Sequence, residues 1–366
     1  MRLNPGSNIL DIDLEVFENN LVEVERFVGI LSKNPNDTSS LHSLLLTTET
    51  IKERINLYQI KEIDILIIPL VEIVAALHNR KFLFSPNLSE VILITLDRTY
   101  IVLQMIVSGK PVDTAGLVAM AKTISPLATS TAANAEKNAK TILELISGTP
   151  TIPNATLKQF QQNLDINIAS ISASESQQAD LRFFKSLSLL LEKRSSFWIG
   201  RTSRIRHLAF KINQAAGELV DPIQLEAAIY MHDIGMGLLP ESIVSNQGKL
   251  NDYEFKELHV HPVAGGEILT RMSGWGGAAE MVLQHHEKPN GTGYPNQLSD
   301  RNTCSGAKLI ATLDAFEAMT HERVNRAHKK SIMRAMVELN ACEDQFSRLW
   351  IPTFNQVVRE MLEANE

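Results

Sequence analysis

The sequence predicts an all-α protein in two parts. A helical bundle is expected over residues 1–125 and a second helical domain over 178–366, joined across 126–177 by a linker with room for short helices. Three observations carry this. Apolar residues recur at alternating three- and four-residue steps, which places them on one stripe of an α-helix. Ser, Asp, Pro and Gly fall where such helices would begin and end. Residues able to ligate a metal stand in or beside apolar helical runs, about 25 to 30 positions apart, as when several helices supply side chains to one centre.

The first stripe is Leu14, Phe17, Leu21, Val24, Val28 and Leu31. Residues 34–40, NPNDTSS, interrupt it and offer a serine cap to a second helix over 41–57. A third, over 60–78, is apolar nearly all round and therefore central, with Pro69 expected to kink or break it. Ser85-Pro86 starts a fourth over 87–107, and a short fifth follows over 113–123. Ser, Thr, Ala, Asn and Gln then dominate 125–178, with a possible helix over 132–147 and a weaker one over 157–164.

With 366 residues, 44% hydrophobic and 21% charged, the chain is long enough for two or three cores and is not of disordered type. A net charge of −7 argues against nucleic-acid binding through a basic face. Cys304 and Cys342 have no ligand spacing and imply no disulfide framework, so a reducing cytoplasm is the expected location. No signal peptide is evident, and the longest apolar run, 63–77, is too short to span a bilayer and contains Asp64 and Glu72.

The chemistry concentrates between His232 and Arg326. His232-Asp233, His261, His285-His286 and Asp314 form four ligand-type clusters. Imidazoles with carboxylates and no thiolate suit a divalent Fe, Mn, Zn or similar ion. The loop Gly291-Thr292-Gly293-Tyr294-Pro295 reads as a tight turn presenting Tyr294. His259 reads as a surface residue, and an isolated His-Asp pair would by itself be structural.

Together HDIG, His261, HHEKPNGTGYP and LDAFEAMTHER resemble the HD-GYP family, bacterial metal-dependent phosphodiesterases of cyclic-di-GMP signalling. The resemblance covers residues 178–366. It implies metal ligation by His232, Asp233, His261, His285, His286 and Asp314, with Asp233 bridging metals at the catalytic centre. It also implies substrate contacts from Gly293, Tyr294, Pro295, Arg323 and Arg326. Three positions depart from the family pattern. Phe197 stands where a glutamate is expected, Arg201 where a histidine is expected, and Met236 in place of the lysine of HDIGK. A guanidinium cannot ligate a metal and repels one. The departures therefore imply one well-held metal or none, and weak or lost hydrolysis.

Residues 12–108 resemble histidine-containing phosphotransfer domains of the chemotaxis-kinase type, but Glu49 stands where the phospho-accepting histidine would be. A carboxylate cannot serve as the relay imidazole, which leaves a docking or dimerisation bundle for a signalling partner. Glu49 reads as a solvated helix residue before a mimic of phosphohistidine. The expected function is thus a signalling protein that binds metal and cyclic-di-GMP or a related nucleotide. An active phosphodiesterase yielding pGpG or GMP is the alternative, and a scaffold that binds neither is the third reading.

Overall fold

The computed structural model describes residues 7–58, 60–147, 173–244, 246, 250–321 and 329–363. Helices dominate them, and the chain divides into two compact units, Met1–Pro153 and Asn154–Glu366.

The first unit contains α1 (Ser7–Lys33), α2 (Thr38–Leu57), α3 (Lys61–His78), α4 (Pro86–Val107), α5 (Thr114–Ile124) and α6 (Ala135–Ser147). Asp37 caps α2 by accepting the Ser40 N–H at 2.8 Å, and Ser85 caps α4 by accepting the Leu88 N–H at 3.3 Å. The central α3 buries Ile63, Leu66, Ile67, Leu70, Ile73 and Leu77 against α2, α4 and α5. Pro69 does not break it. The helix runs through, because packing on several sides outweighs the loss of one intrahelical hydrogen bond. The bundle also continues past residue 125, since α6 buries Ala139, Ile142 and Leu143 and packs on α4 and α5. Asn87 ties the start of α4 to α6 by donating to Glu136 at 2.6 Å. The expected segment at 157–164 lies outside the described residues. Glu49 is partly exposed on α2.

The second unit begins with a capping box at Ser174 and Gln177, which starts α7 (Glu175–Glu192). Next come α8 (Arg201–Ala215), α9 (Pro222–Met231), α10 (Glu241–Val244), α11 (Asp252–Leu258), α12 (His261–Thr270) and α13 (Gly276–Gln284). Past an irregular stretch lie α14 (Ser305–Thr320), α15 (Ile332–Ala341) and α16 (Ile351–Glu363). Three buried aromatic groups organise the packing. Trp275 meets Phe184 edge-on at 5.3 Å and donates to Asp180 at 2.8 Å, so its one polar atom is satisfied inside the core. Trp350 donates to the Ser305 carbonyl at 2.8 Å, and Phe316 meets Phe354 at 5.1 Å, joining α14 to α16. At α12, a Cβ on Gly265 would stand 3.0 Å from the Met231 carbonyl and 2.9 Å from Val282, so glycine permits the close approach of α9, α12 and α13.

Among the described residues no helix is long and apolar enough to cross a membrane.

Candidate metal centre

Three helix termini meet at the site. His232 is the C-cap of α9 and Asp233 follows it outside the helix, at φ −101° and ψ 3°. Adjacent helical residues would diverge by about 100°. Ending α9 at Met231 frees Asp233 to turn back beside His232. His261 opens α12, and His285 is the C-cap of α13 with His286 next.

Each of His232, His261 and His285 places Nδ1 on the carbonyl oxygen three residues before it: Ile229 at 2.8 Å, Leu258 at 2.6 Å and Val282 at 2.6 Å. A carbonyl only accepts, so Nδ1 carries the proton and Nε2 presents a bare lone pair. All three Nε2 atoms are buried without a hydrogen-bond partner. Buried polar atoms are ordinarily paired, and three orphaned lone pairs facing one carboxylate are the signature of ligands prepared for a cation. Ligand atoms of Asp233, His261, His285 and His286 lie within 4.8 Å of one another. Asp233 Oδ1 is 3.5 Å from His261 Nε2 and 4.0 Å from His285 Nε2, while Oδ2 is 3.5 Å from His232 Nε2. The donor set of one carboxylate and neutral imidazoles fits a divalent first-row metal.

The pocket also holds a cation of its own. Glu192 accepts the N–H groups of Gly200 at 2.7 Å and Thr202 at 2.8 Å, which anchors the start of α8, and Gly200 takes the left-handed turn (φ 77°) that begins it. Arg201 then projects inward. Its two terminal nitrogens donate to Asp233 Oδ2 and Asp314 Oδ1, and its Nε lies 3.5 Å from Glu317. Glu317 is held from the other side by Arg204, whose Nε donates to it at 3.2 Å. Asp314 thus faces a guanidinium and does not join the four-residue ligand group.

Electrostatics follow from this packing. Burial opposes the charge on Asp233, but the Arg201 guanidinium holds its carboxyl well below the usual range. Burial likewise opposes the charge on Arg201, and Asp233, Asp314 and Glu317 keep it protonated at every relevant pH. Desolvation lowers His261, holds His285 well below the usual imidazole value, and pushes His286 down to about 3. These three imidazoles stay neutral in the folded chain when the unfolded chain takes up protons near pH 6.5. Because the native value is depressed, stability present at pH 7.5 drains away as pH falls. The slope is about 1.4 kcal/mol per pH unit for each histidine involved. Denaturant unfolding of metal-free protein at pH 7.5 and 5.5 is expected to show the lower midpoint at pH 5.5. Equal midpoints would contradict this assignment.

The remaining predicted positions are distributed as follows. Gly293 has no room for a side chain, since a Cβ would lie 2.4 Å from the Lys288 nitrogen and 2.5 Å from the His286 oxygen. The Tyr294 N–H donates to the His286 carbonyl at 3.2 Å, bringing the loop and Pro295 back onto the ligand pair. Met236 lies half-buried in a 3-10 turn, Ile234–Leu238, and brings no charge; Phe197 lies on another, Ser196–Trp198, with its side chain 37% exposed. Arg323 and Arg326 lie outside the described residues.

Sequence reasoning missed three residues. Glu287, buried beside the ligand pair, accepts the N–H groups of Asn296 at 2.7 Å and Leu298 at 2.8 Å and so ties down the loop. Glu317, one helical turn after Asp314, was legible as a same-face carboxylate but its buried partners were not. His259, expected at the surface, is stacked on Tyr294 with ring centres 3.6 Å apart.

Residues 185–346 match the sequence model of the family described as HD domain. The second unit contains an HD domain. Within that unit its ligand-bearing termini are those of α9, α12 and α13. The chain is 31% identical over 139 residues to the 3'3'-cGAMP-specific phosphodiesterase 3 of Vibrio cholerae, covering 38% of this chain and 30% of that protein. It is 33% identical over 130 residues to a cyclic di-GMP phosphodiesterase of Pseudomonas aeruginosa, covering 34% and 31%. A cyclic di-GMP phosphodiesterase of Thermotoga maritima is 31% identical over 140 residues, covering 37% and 38%. The matched stretch therefore spans about a third of each relative's length.

Proposed function

We propose that the HD domain is a cyclic-dinucleotide receptor with one metal position, and that its phosphodiesterase activity is weakened or lost. The observation that carries this is Arg201, whose guanidinium joins Asp233 to Asp314. A second cation shared by those carboxylates has lost both its expected histidine and its electrostatic vacancy. One metal position remains, with Asp233, His261, His285 and His286 as its ligands. A bound divalent ion there would supply Lewis acidity and a lowered pKa for an attached water. Asp233 presents Oδ1 towards the histidines and keeps Oδ2 on Arg201, while His261 and His285 keep their tautomers through backbone carbonyls. The absent lysine at Met236 removes a donor that would steady phosphate oxygens. Related proteins named as acting on cyclic di-GMP or 3'3'-cGAMP support the ligand class. The N-terminal bundle, in this reading, docks a signalling partner, with Glu49 excluding phosphotransfer.

An active phosphodiesterase is the second reading, favoured by the assembled four-ligand cluster and the ordered Tyr294 loop. Purified protein of measured metal content, incubated anaerobically with ferrous or manganous ion and cyclic-di-GMP, separates the two. Binding without appreciable product is the expected result. Multiple-turnover conversion to pGpG or GMP, abolished by His285→Ala, would replace the receptor reading with the enzyme reading.

A further inference from the structure

Tyr294 is the middle ring of a stack. The His259 imidazole lies 3.6 Å from it at an interplanar angle of 14°, and the His286 imidazole 4.8 Å from it at 26°. A ring centred 3.6 Å above Tyr294 leaves no space on that face for a second nearly parallel ring at 4.8 Å. The two imidazoles therefore occupy opposite faces.

Both partners are themselves anchored. His286 follows the C-cap of α13. His259 is the C-cap of α11, its N–H donates to the Phe255 carbonyl at 3.1 Å, and the Phe255 ring meets it edge-on at 4.5 Å. Two residues later His261 opens α12, so one short connection sends His259 to the loop and His261 to the metal position. The loop backbone is equally confined, by the absence of space at Gly293 and by the two N–H groups that Glu287 accepts. Neither its main chain nor its ring leaves Tyr294 free to swing.

We propose that His259 is a positioning residue that, with His286, clamps Tyr294 so that only its edge and hydroxyl remain for a ligand. An aromatic face exposed beside a nucleotide site would ordinarily invite a base to stack. Here both faces are taken, which closes that mode and leaves recognition at Tyr294 to hydrogen bonding by the phenol. The clamp rests on ring geometry alone; its consequence for ligand rests on the function proposed above.

The test has two arms on the full chain. In the first, protein is labelled with fluorotyrosine, and the fluorine line of Tyr294 is assigned by its loss in Tyr294→Phe. His259→Ala is expected to move that line towards the position of an exposed tyrosine, and His259→Phe, which restores a flat ring, to keep it displaced. A line indifferent to His259→Ala overturns the clamp. In the second arm, cyclic-di-GMP is the probe and metal content is checked in every variant. Tyr294→Phe, which removes one hydrogen bond to a charged ligand, is expected to weaken binding about tenfold. His259→Ala is expected to weaken binding about three- to tenfold and His259→Phe by less than about twofold. The double variant His259→Ala/Tyr294→Phe should bind as Tyr294→Phe does, because His259 acts only through Tyr294. Losses that multiply independently overturn the positioning role. Failure of the metal-loaded wild type to bind cyclic-di-GMP would sink the receptor reading, while the fluorine line would still decide the clamp.

Discussion

Replacing Arg201 with histidine is expected to change the number of metal ions held by each chain from one to two. The residue now neutralises Asp233 and Asp314 directly and approaches Glu317. In metal-free protein its removal leaves these largely buried carboxylates without their shared cation. Breaking a buried ion pair from one side costs about 3–5 kcal/mol, chiefly because the orphaned charge stays in a poorly solvated place. Arg201→Met should therefore lower the melting temperature of metal-free protein sharply. Arg201→His should suffer a similar loss without metal but recover much of it when manganous or ferrous ion is added, since an imidazole and two carboxylates then face a cation again. The wild type, with an arginine already in place, should respond more modestly. Metal analysis by mass spectrometry and thermal unfolding with and without metal give the answer without recourse to activity. Two ions per wild-type chain, or no added metal response in Arg201→His, would remove Arg201 from the role assigned to it.

The consequence of that arginine was partly visible in the sequence and partly not. A guanidinium at a ligand position can be read from residue type alone, and so can the exclusion of a metal there. What Arg201 does instead depends on Glu192, nine residues earlier at the end of α7, which holds the turn that starts α8, and on Asp314 and Glu317, more than a hundred residues away. No local pattern encodes such a partnership. The same division runs through the site. His232, His261, His285 and His286 were legible because ligand chemistry restricts the residue types and helices restrict their spacing. Their tautomers were not, since these are set by backbone carbonyls whose position depends on where each helix ends.

The fold shows a similar pattern of success and failure. Helical stripes and the serine cap at Ser85 follow from local propensity, and the structure reproduces them. Pro69 did not follow the local expectation, and α6, which forms within the helix expected over 132–147, packs into the bundle where a linker was expected. Pro69 is held in a helix by neighbours on several sides, and Ala139, Ile142 and Leu143 are recruited to the bundle despite a polar, linker-like surrounding. His259 failed for the same physical reason. A polar residue beside a helix end looks solvent-facing until a loop thirty-five positions later closes over it.

Gly235 joins packing to the metal position, and Gly235→Ala should be the most damaging one-carbon change near the site. A Cβ there would lie 2.2 Å from the His261 carbonyl oxygen, 2.6 Å from its Cα and 2.8 Å from its carbonyl carbon. These are backbone atoms at the start of α12, so relief cannot come from a flexible side chain turning aside. Either the 3-10 turn that carries Asp233 forward moves, or the first turn of α12 does. His261 Nε2 and Asp233 Oδ1 are 3.5 Å apart across that contact, and a displacement of about an ångström is enough to spoil shared coordination. Overpacking of this kind costs about 1–3 kcal/mol and more where backbone must yield. Gly235→Ala should accordingly lower the unfolding midpoint and strip most of the metal from purified protein. Gly237→Ala, where the nearest neighbour is a Leu191 methyl at 3.7 Å, should leave both nearly unchanged. Retention of full metal content by Gly235→Ala would show that the α12 terminus can shift without disturbing its histidine, and would loosen the link drawn between the glycine and the centre.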